Sequence, residues 1–124
     1  MKRLVVVVLL CIGLWACGDD APDTLGQQRV GDVVIEVQCR PMPVSVGMNE
    51  FLVMATDVHG APVHDLLVDL RMRDGDDWQQ AIQDGFSGVS RKALGVISLR
   101  DPLQVRLKQQ GHFTELRFPL VSGR

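Results

Sequence analysis

Apolar and polar residues alternate along much of the chain with the two-residue period of a β-strand that buries one face. The first alternating segment places four apolar residues on one side: Val33, Ile35, Val37 and Cys39. Cys39 is therefore expected to point into the core. The apolar run 51–58 follows, and its composition is typical of a strand buried on most of both faces.

Further strands are predicted along the rest of the chain. They are 66–72, 78–82, 86–99 (as one strand or as two, broken near Gly95), 103–107 and 116–120. Clusters of Gly, Pro and Asp between them indicate turns. The turn at 57–62 predicts a β-hairpin that joins the run 51–58 to the segment 66–72. No stretch after Cys17 has helical periodicity, so residues 32–124 are predicted to form an immunoglobulin-like antiparallel β-sandwich of about seven strands.

The N-terminus has the layout of a secretory signal. Lys2 and Arg3 precede 4–16, thirteen residues without a formal charge. A transmembrane helix needs about 20 apolar residues, so this run is too short to span a bilayer and has the length of a signal-peptide core. The sequence LWAC at 14–17 resembles the lipobox of bacterial lipoproteins. That resemblance implies a signal peptide over 1–16 and a lipid on Cys17; an ordinary cleaved signal and an uncleaved anchor are the alternatives.

The residues after Cys17 indicate where in the cell envelope the protein is located. Positions 17–31 carry Gly, Asp, Pro and Gln with few apolar residues, which predicts a flexible linker. In lipoprotein sorting, Gly18 after the lipidated cysteine implies the outer membrane, here with the domain facing the periplasm.

Composition excludes several classes of function. The chain of 124 residues is long enough for one small domain, and its net charge is -2. Loss of residues 1–16 removes Lys2 and Arg3 and leaves 11 basic against 15 acidic residues, a net charge of -4. A nucleic-acid partner is not expected of an acidic chain with no basic block. Cys39 alone would then remain in the domain, which excludes an intrachain disulfide.

Three stretches resemble one family of exported domains. Gly47–Phe51, Ala55–Val63 and Val68–Leu70 are similar to the opening of FixH and YtkA-like domains. That resemblance implies an immunoglobulin-like sandwich that is exported or attached to a membrane, in a family of which some members are associated with copper handling and assembly of haem-copper oxidases. Here Arg71-Met72-Arg73 stands where many of those domains carry a methionine cluster.

The cysteine, methionine and histidine side chains of this sequence supply sulfur and imidazole ligands, which are suited to copper. The ligands nearest the surface would be His59, His64 and Met42, whereas most of the sulfur atoms fall on predicted core faces. No catalytic constellation accompanies them: Ser87 is expected to be a turn residue, and Trp78 is expected to cap the sandwich, with a partner anchor as the alternative.

These observations predict a non-catalytic, lipid-anchored protein of the cell envelope that needs no cofactor. It would act as a binding or assembly-accessory module, with the membrane and another envelope protein as partners. A copper-handling chaperone linked to haem-copper oxidase assembly is the alternative.

Overall fold

The computed structural model describes residues 24–121, and all regular secondary structure in that range is β-strand. The strands are β1 (Thr24–Val30), β2 (Val33–Arg40), β3 (Gly47–Asp57), β4 (Leu67–Arg71), β5 (Gln79–Gln80), β6 (Ile82–Gln83), β7 (Val89–Val96), β8 (Leu103–Gln109) and β9 (His112–Phe118). The described part of the chain contains no helix of the length and hydropathy that a membrane crossing requires.

The strands form two antiparallel sheets packed face to face. One sheet has the order β1-β2-β3-β7-β6 and the other the order β5-β4-β8-β9. The inward residues of both sheets make one core, in which Phe51, Phe118 and Ile35 are the largest fully buried side chains. The predicted all-β sandwich is therefore confirmed. Cys39 is also confirmed as an inward residue, with 0% of its surface exposed.

The predicted hairpin between β3 and β4 is wrong. The turn itself is present: the Asp57 carboxylate accepts the backbone N–H groups of His59 at 2.8 Å and Ala61 at 2.9 Å, and Val63 N donates to Ala55 O at 2.9 Å. However, β3 is already paired with β2 on one side and β7 on the other. With no free side left on β3, β4 crosses to the opposite sheet and pairs with β5 and β8.

The predicted linker 17–31 also needs correction. Its second half is the outermost strand β1, which pairs with β2 along its length. Leu25 and Val30 pack against the core, and Gln28 Nε2 donates to Arg117 O at 2.6 Å. The domain therefore begins at or before Thr24. The rest of the linker, the signal peptide 1–16 and the lipidation site Cys17 lie outside the described residues.

The predicted strand 78–82 is split between the two sheets. β5 pairs with β4 and β6 pairs with β7, with the buried Ala81 between them. Ala81 N donates to Val68 O at 2.8 Å, which fixes the crossing point. The next strand, β7, runs without a break through Gly95.

Candidate binding surface

Alternate residues of three strands build the outer face of the four-stranded sheet. Their neighbours along the chain, such as Val68 and Val105, point into the core, so the strand period puts the intervening residues outside. The outer positions on β4, β8 and β9 are Leu67, Asp69, Arg71, Gln104, Arg106, Lys108, Phe113, Glu115 and Arg117.

Cationic and aromatic side chains stack on this face. The guanidinium carbon of Arg71 lies 4.2 Å from the centroid of the Trp78 ring, and that of Arg106 lies 4.6 Å from it. Arg106 also lies 5.2 Å from the ring centroid of Phe113, and the Nζ of Lys108 lies 5.5 Å from the same ring. These distances are within the range of cation–π attraction. We call these five residues the Trp78 face.

Hydrogen bonds fix both arginines of the Trp78 face. Arg106 donates from Nε at 3.1 Å and from Nη2 at 2.8 Å to one carboxylate oxygen of Asp69. Arg71 Nε donates to Gln104 Oε1 at 2.8 Å, and the amide of that buried glutamine donates to Asp74 Oδ1 at 2.9 Å. A guanidinium held in this way is already oriented before any partner arrives.

Asp74 lies at the centre of the network that holds Arg71 through Gln104. The hydrogen bond from Gln104, followed by the charge of Arg117, holds the pKa of Asp74 below its ordinary value of 3.8. Arg117 Nη2 lies 3.4 Å from Asp74 Oδ1, and Arg71 Nη2 lies 3.7 Å from it. The carboxylate is therefore charged at neutral pH and offsets part of the positive charge on this face.

The Trp78 face is suited to non-covalent recognition. Tryptophan and arginine are the residues most enriched among those that dominate binding energies, and here they form one preorganised group. Phe113, with 57% of its surface exposed, offers an apolar area beside them.

The structure adds a finding on Trp78 that the sequence did not show. The sequence predicts that the Trp78 ring caps the core, with a partner anchor as the alternative; in the structure the ring contacts two outward arginines. The pairing of Asp69 with Arg106, 37 positions apart, makes this arrangement, and no local pattern predicts that pairing. The alternation of polar with apolar residues in 69–73, 104–108 and 115–117 was the sequence signal that this face is polar.

The structure does not bring the predicted copper ligands together. His59 is exposed in the turn that follows β3, and Met42 lies in the loop that precedes it. The eleven residues of β3 separate these two positions by roughly 30 Å at the rise of an extended strand. His64 packs edge-on against Phe86, with ring centroids 5.3 Å apart. Within residues 24–121, no group of three or more His, Cys, Asp or Glu residues is placed to hold a metal.

Two clefts lie at the ends of the sandwich. One, of about 130 Å³, has Leu66 and Leu107 among its apolar residues and Gln109 and His112 among its polar ones. The other, of about 270 Å³, is mainly polar and includes Asp76. Both are smaller than the roughly 300–1,000 Å³ of typical small-molecule sites.

Comparison of the chain with protein-family models, with curated proteins and with solved structures finds no match. The resemblance to FixH and YtkA-like domains therefore stays a prediction.

Proposed function

We propose that this chain is a non-catalytic binding module that is anchored to the outer membrane by a lipid on Cys17 and recognises another envelope protein through the Trp78 face. The observation that carries the proposal is the stack of Arg71 and Arg106 on the Trp78 ring, with exposed Phe113 beside it. Such a surface combines the aromatic and arginine side chains that protein interfaces favour.

The charges of the surface suggest what the partner presents. Four cationic residues (Arg71, Arg106, Lys108 and Arg117) stand against three acidic ones (Asp69, Asp74 and Glu115), so the surface is mildly positive. Because each arginine of the stack already has an acceptor, a partner gains more from covering the rings than from a new ion pair. We expect the complementary patch to be apolar at its centre and acidic at its rim.

Site-specific photo-crosslinking tests the proposed surface in cells that produce the protein. The photoreactive phenylalanine analogue benzoylphenylalanine replaces Phe113 in one variant and Phe86 in a control. Phe86 is even more exposed, at 81%, but lies in the turn between β6 and β7, away from the Trp78 face. A discrete crosslinked product is expected from position 113 only, and Trp78→Ala should abolish it.

Binding measurements with the purified partner then give the contribution of Trp78 to the binding free energy. Trp78→Ala is expected to weaken binding by about 2 kcal/mol, close to 30-fold, as for a central interface tryptophan. Equal crosslinking at positions 113 and 86, or unchanged binding by a folded Trp78→Ala variant, would contradict the proposal.

Mass spectrometry tests the anchor separately. The layout of residues 1–17 supports processing before Cys17 and acylation of that residue. Membrane-extracted protein should begin at Cys17 and carry the mass of its fatty chains. A chain that starts elsewhere, recovered in the soluble fraction, would contradict the anchor.

A further inference from the structure

Four exposed apolar side chains lie at one end of the sandwich: Met42, Val46, Met48 and Ile97. Their exposed fractions are 38%, 63%, 67% and 63%. The pairing of Gly47 with Val96 brings the start of β3, which carries Met48, beside the end of β7, so the loop that precedes β3 and the loop that follows β7 are neighbours. We call these four residues the apolar tip.

Hydrogen bonds from the side chain of Asn49 fix the backbone of the loop that carries Val46. The buried side chain of Asn49 donates to Ser45 O at 2.7 Å and to Gly47 O at 3.0 Å, and it accepts the Ser45 N–H at 3.3 Å. Val44, the preceding residue, is buried in the core. The loop is therefore fixed at both sides of Val46, and the exposure of Val46 and Met48 is a property of the folded domain.

The chain enters the domain at this same end. Thr24 pairs with Gln38, two residues before the end of β2, so β1 starts beside the loop that carries Met42. Three strand spacings, about 15 Å in total, separate β1 from β7 and its loop with Ile97. The whole apolar tip therefore lies close to the point of entry.

The length of the segment between Cys17 and Thr24 limits how far this end of the domain can lie from Cys17. Thr24 is seven residues after Cys17, and seven residues span at most about 25 Å when fully extended. A lipid on Cys17 would therefore keep the apolar tip near the membrane. The exposed Arg40 and Arg100 flank the tip, and anionic lipid headgroups attract such residues. Asp101, half-buried in the same loop as Arg100, opposes this attraction in part.

We infer that the apolar tip inserts into the headgroup region of the phospholipid bilayer and gives the domain a fixed orientation on the membrane. This inference rests on the proposed anchor at Cys17. A rigid loop with exposed apolar side chains and flanking arginines has the character of an interfacial membrane contact. With this end on the bilayer, the outer face of the four-stranded sheet stands upright and stays accessible to a partner from the side.

Environment-sensitive fluorescence tests the inference on the full, processed protein reconstituted into vesicles of phosphatidylethanolamine and phosphatidylglycerol. A nitrobenzoxadiazole probe is attached to Val46→Cys in one variant and to Val58→Cys in the control. Val58 is a matched position because it is an exposed valine, at 50%, in the turn at the opposite end of β3. Cys39 is buried, so native protein is labelled at the introduced cysteine.

The position 46 probe is expected to show a blue shift, about a twofold rise in emission, and quenching by spin-labelled lipid, as for a group that enters the interface. The position 58 probe is expected to behave as in water. Protein that floats with the vesicles while both probes stay in water would overturn the tip contact but leave the anchor intact. Protein that does not float would overturn the anchor and, with it, this inference. A blue shift that depends on protein concentration without vesicles would assign the tip to self-association instead.

Discussion

Replacement of Gly88 by alanine should destabilise the domain through two separate effects. Gly88 has a φ of +79°, a backbone conformation that costs an alanine about 1–2 kcal/mol. A Cβ at this position would also lie 2.7 Å from Ala55 O and 2.9 Å from Pro62 Cβ. Both neighbours are held, because Ala55 N donates to Gly88 O and Val63 N donates to Ala55 O, each at 2.9 Å.

The second effect is a steric one between rigid groups. Forced overpacking of this kind costs roughly 1–3 kcal/mol. Together with the backbone cost, Gly88→Ala should lower the free energy of unfolding by about 2–5 kcal/mol. That is a large part of the 5–15 kcal/mol typical of a single domain. Urea denaturation followed by tryptophan fluorescence measures the loss as a lower midpoint at unchanged slope.

Gly111→Ala isolates the backbone cost. Gly111 has a φ of +83° in the turn between β8 and β9, but a Cβ there meets nothing within 4 Å. This control should lose only about 1–2 kcal/mol. If Gly88→Ala were no less stable than Gly111→Ala, the close approach of Gly88 to β3 would carry no energy and the steric argument would be refuted.

Three further outcomes are expected. Asn49→Ala should lower the free energy of unfolding by about 1–3 kcal/mol, because it removes the hydrogen bonds that this buried side chain makes to Ser45 and Gly47; a loss near zero in urea denaturation would contradict this. Cys39 should react with a thiol reagent far more slowly in native protein than in urea, and similar rates would disprove its burial. The N–H of Ala61, as the largest cause, lowers the pKa of Asp57 below its ordinary value of 3.8. The stabilisation by Asp57 is therefore complete above that value and lost as pH falls through the lower folded pKa. Acid titration of unfolding should show this loss in the wild type and not in Asp57→Ala.

The alternation of side chains was sufficient to predict most strands of this fold. β2, β4, β8 and β9 each bury one face, and the period of two is visible in their sequences. β1 was missed because only Leu25 and Val30 of its residues are large and apolar, and both are only partly buried. A strand at the outside of a sheet covers the core with few side chains, so its pattern is weak.

The pairing of the strands could not be predicted from local sequence patterns. The sequence shows that β3 and β4 are consecutive strands joined by a turn, but whether they pair depends on competition from β2 and β7 for the sides of β3. The candidate surface depends on the same information. Arg71 and Trp78 are close in the chain, but Arg106 joins them only because β8 pairs with β4.

The division of 79–83 between the two sheets also protects the protein against aggregation. A long uncovered strand is a template to which another chain can add, whereas β5 and β6 offer two residues each. Beyond β6, no strand covers the rest of β7, which carries Lys92. Lys92 pairs with the buried Phe51, so the Lys92 side chain leaves the backbone on the inner face of the sheet. An added strand would have to cover that ammonium group without a partner, which is costly. This side of the sandwich therefore resists cross-β assembly through its backbone layout and one inward charge.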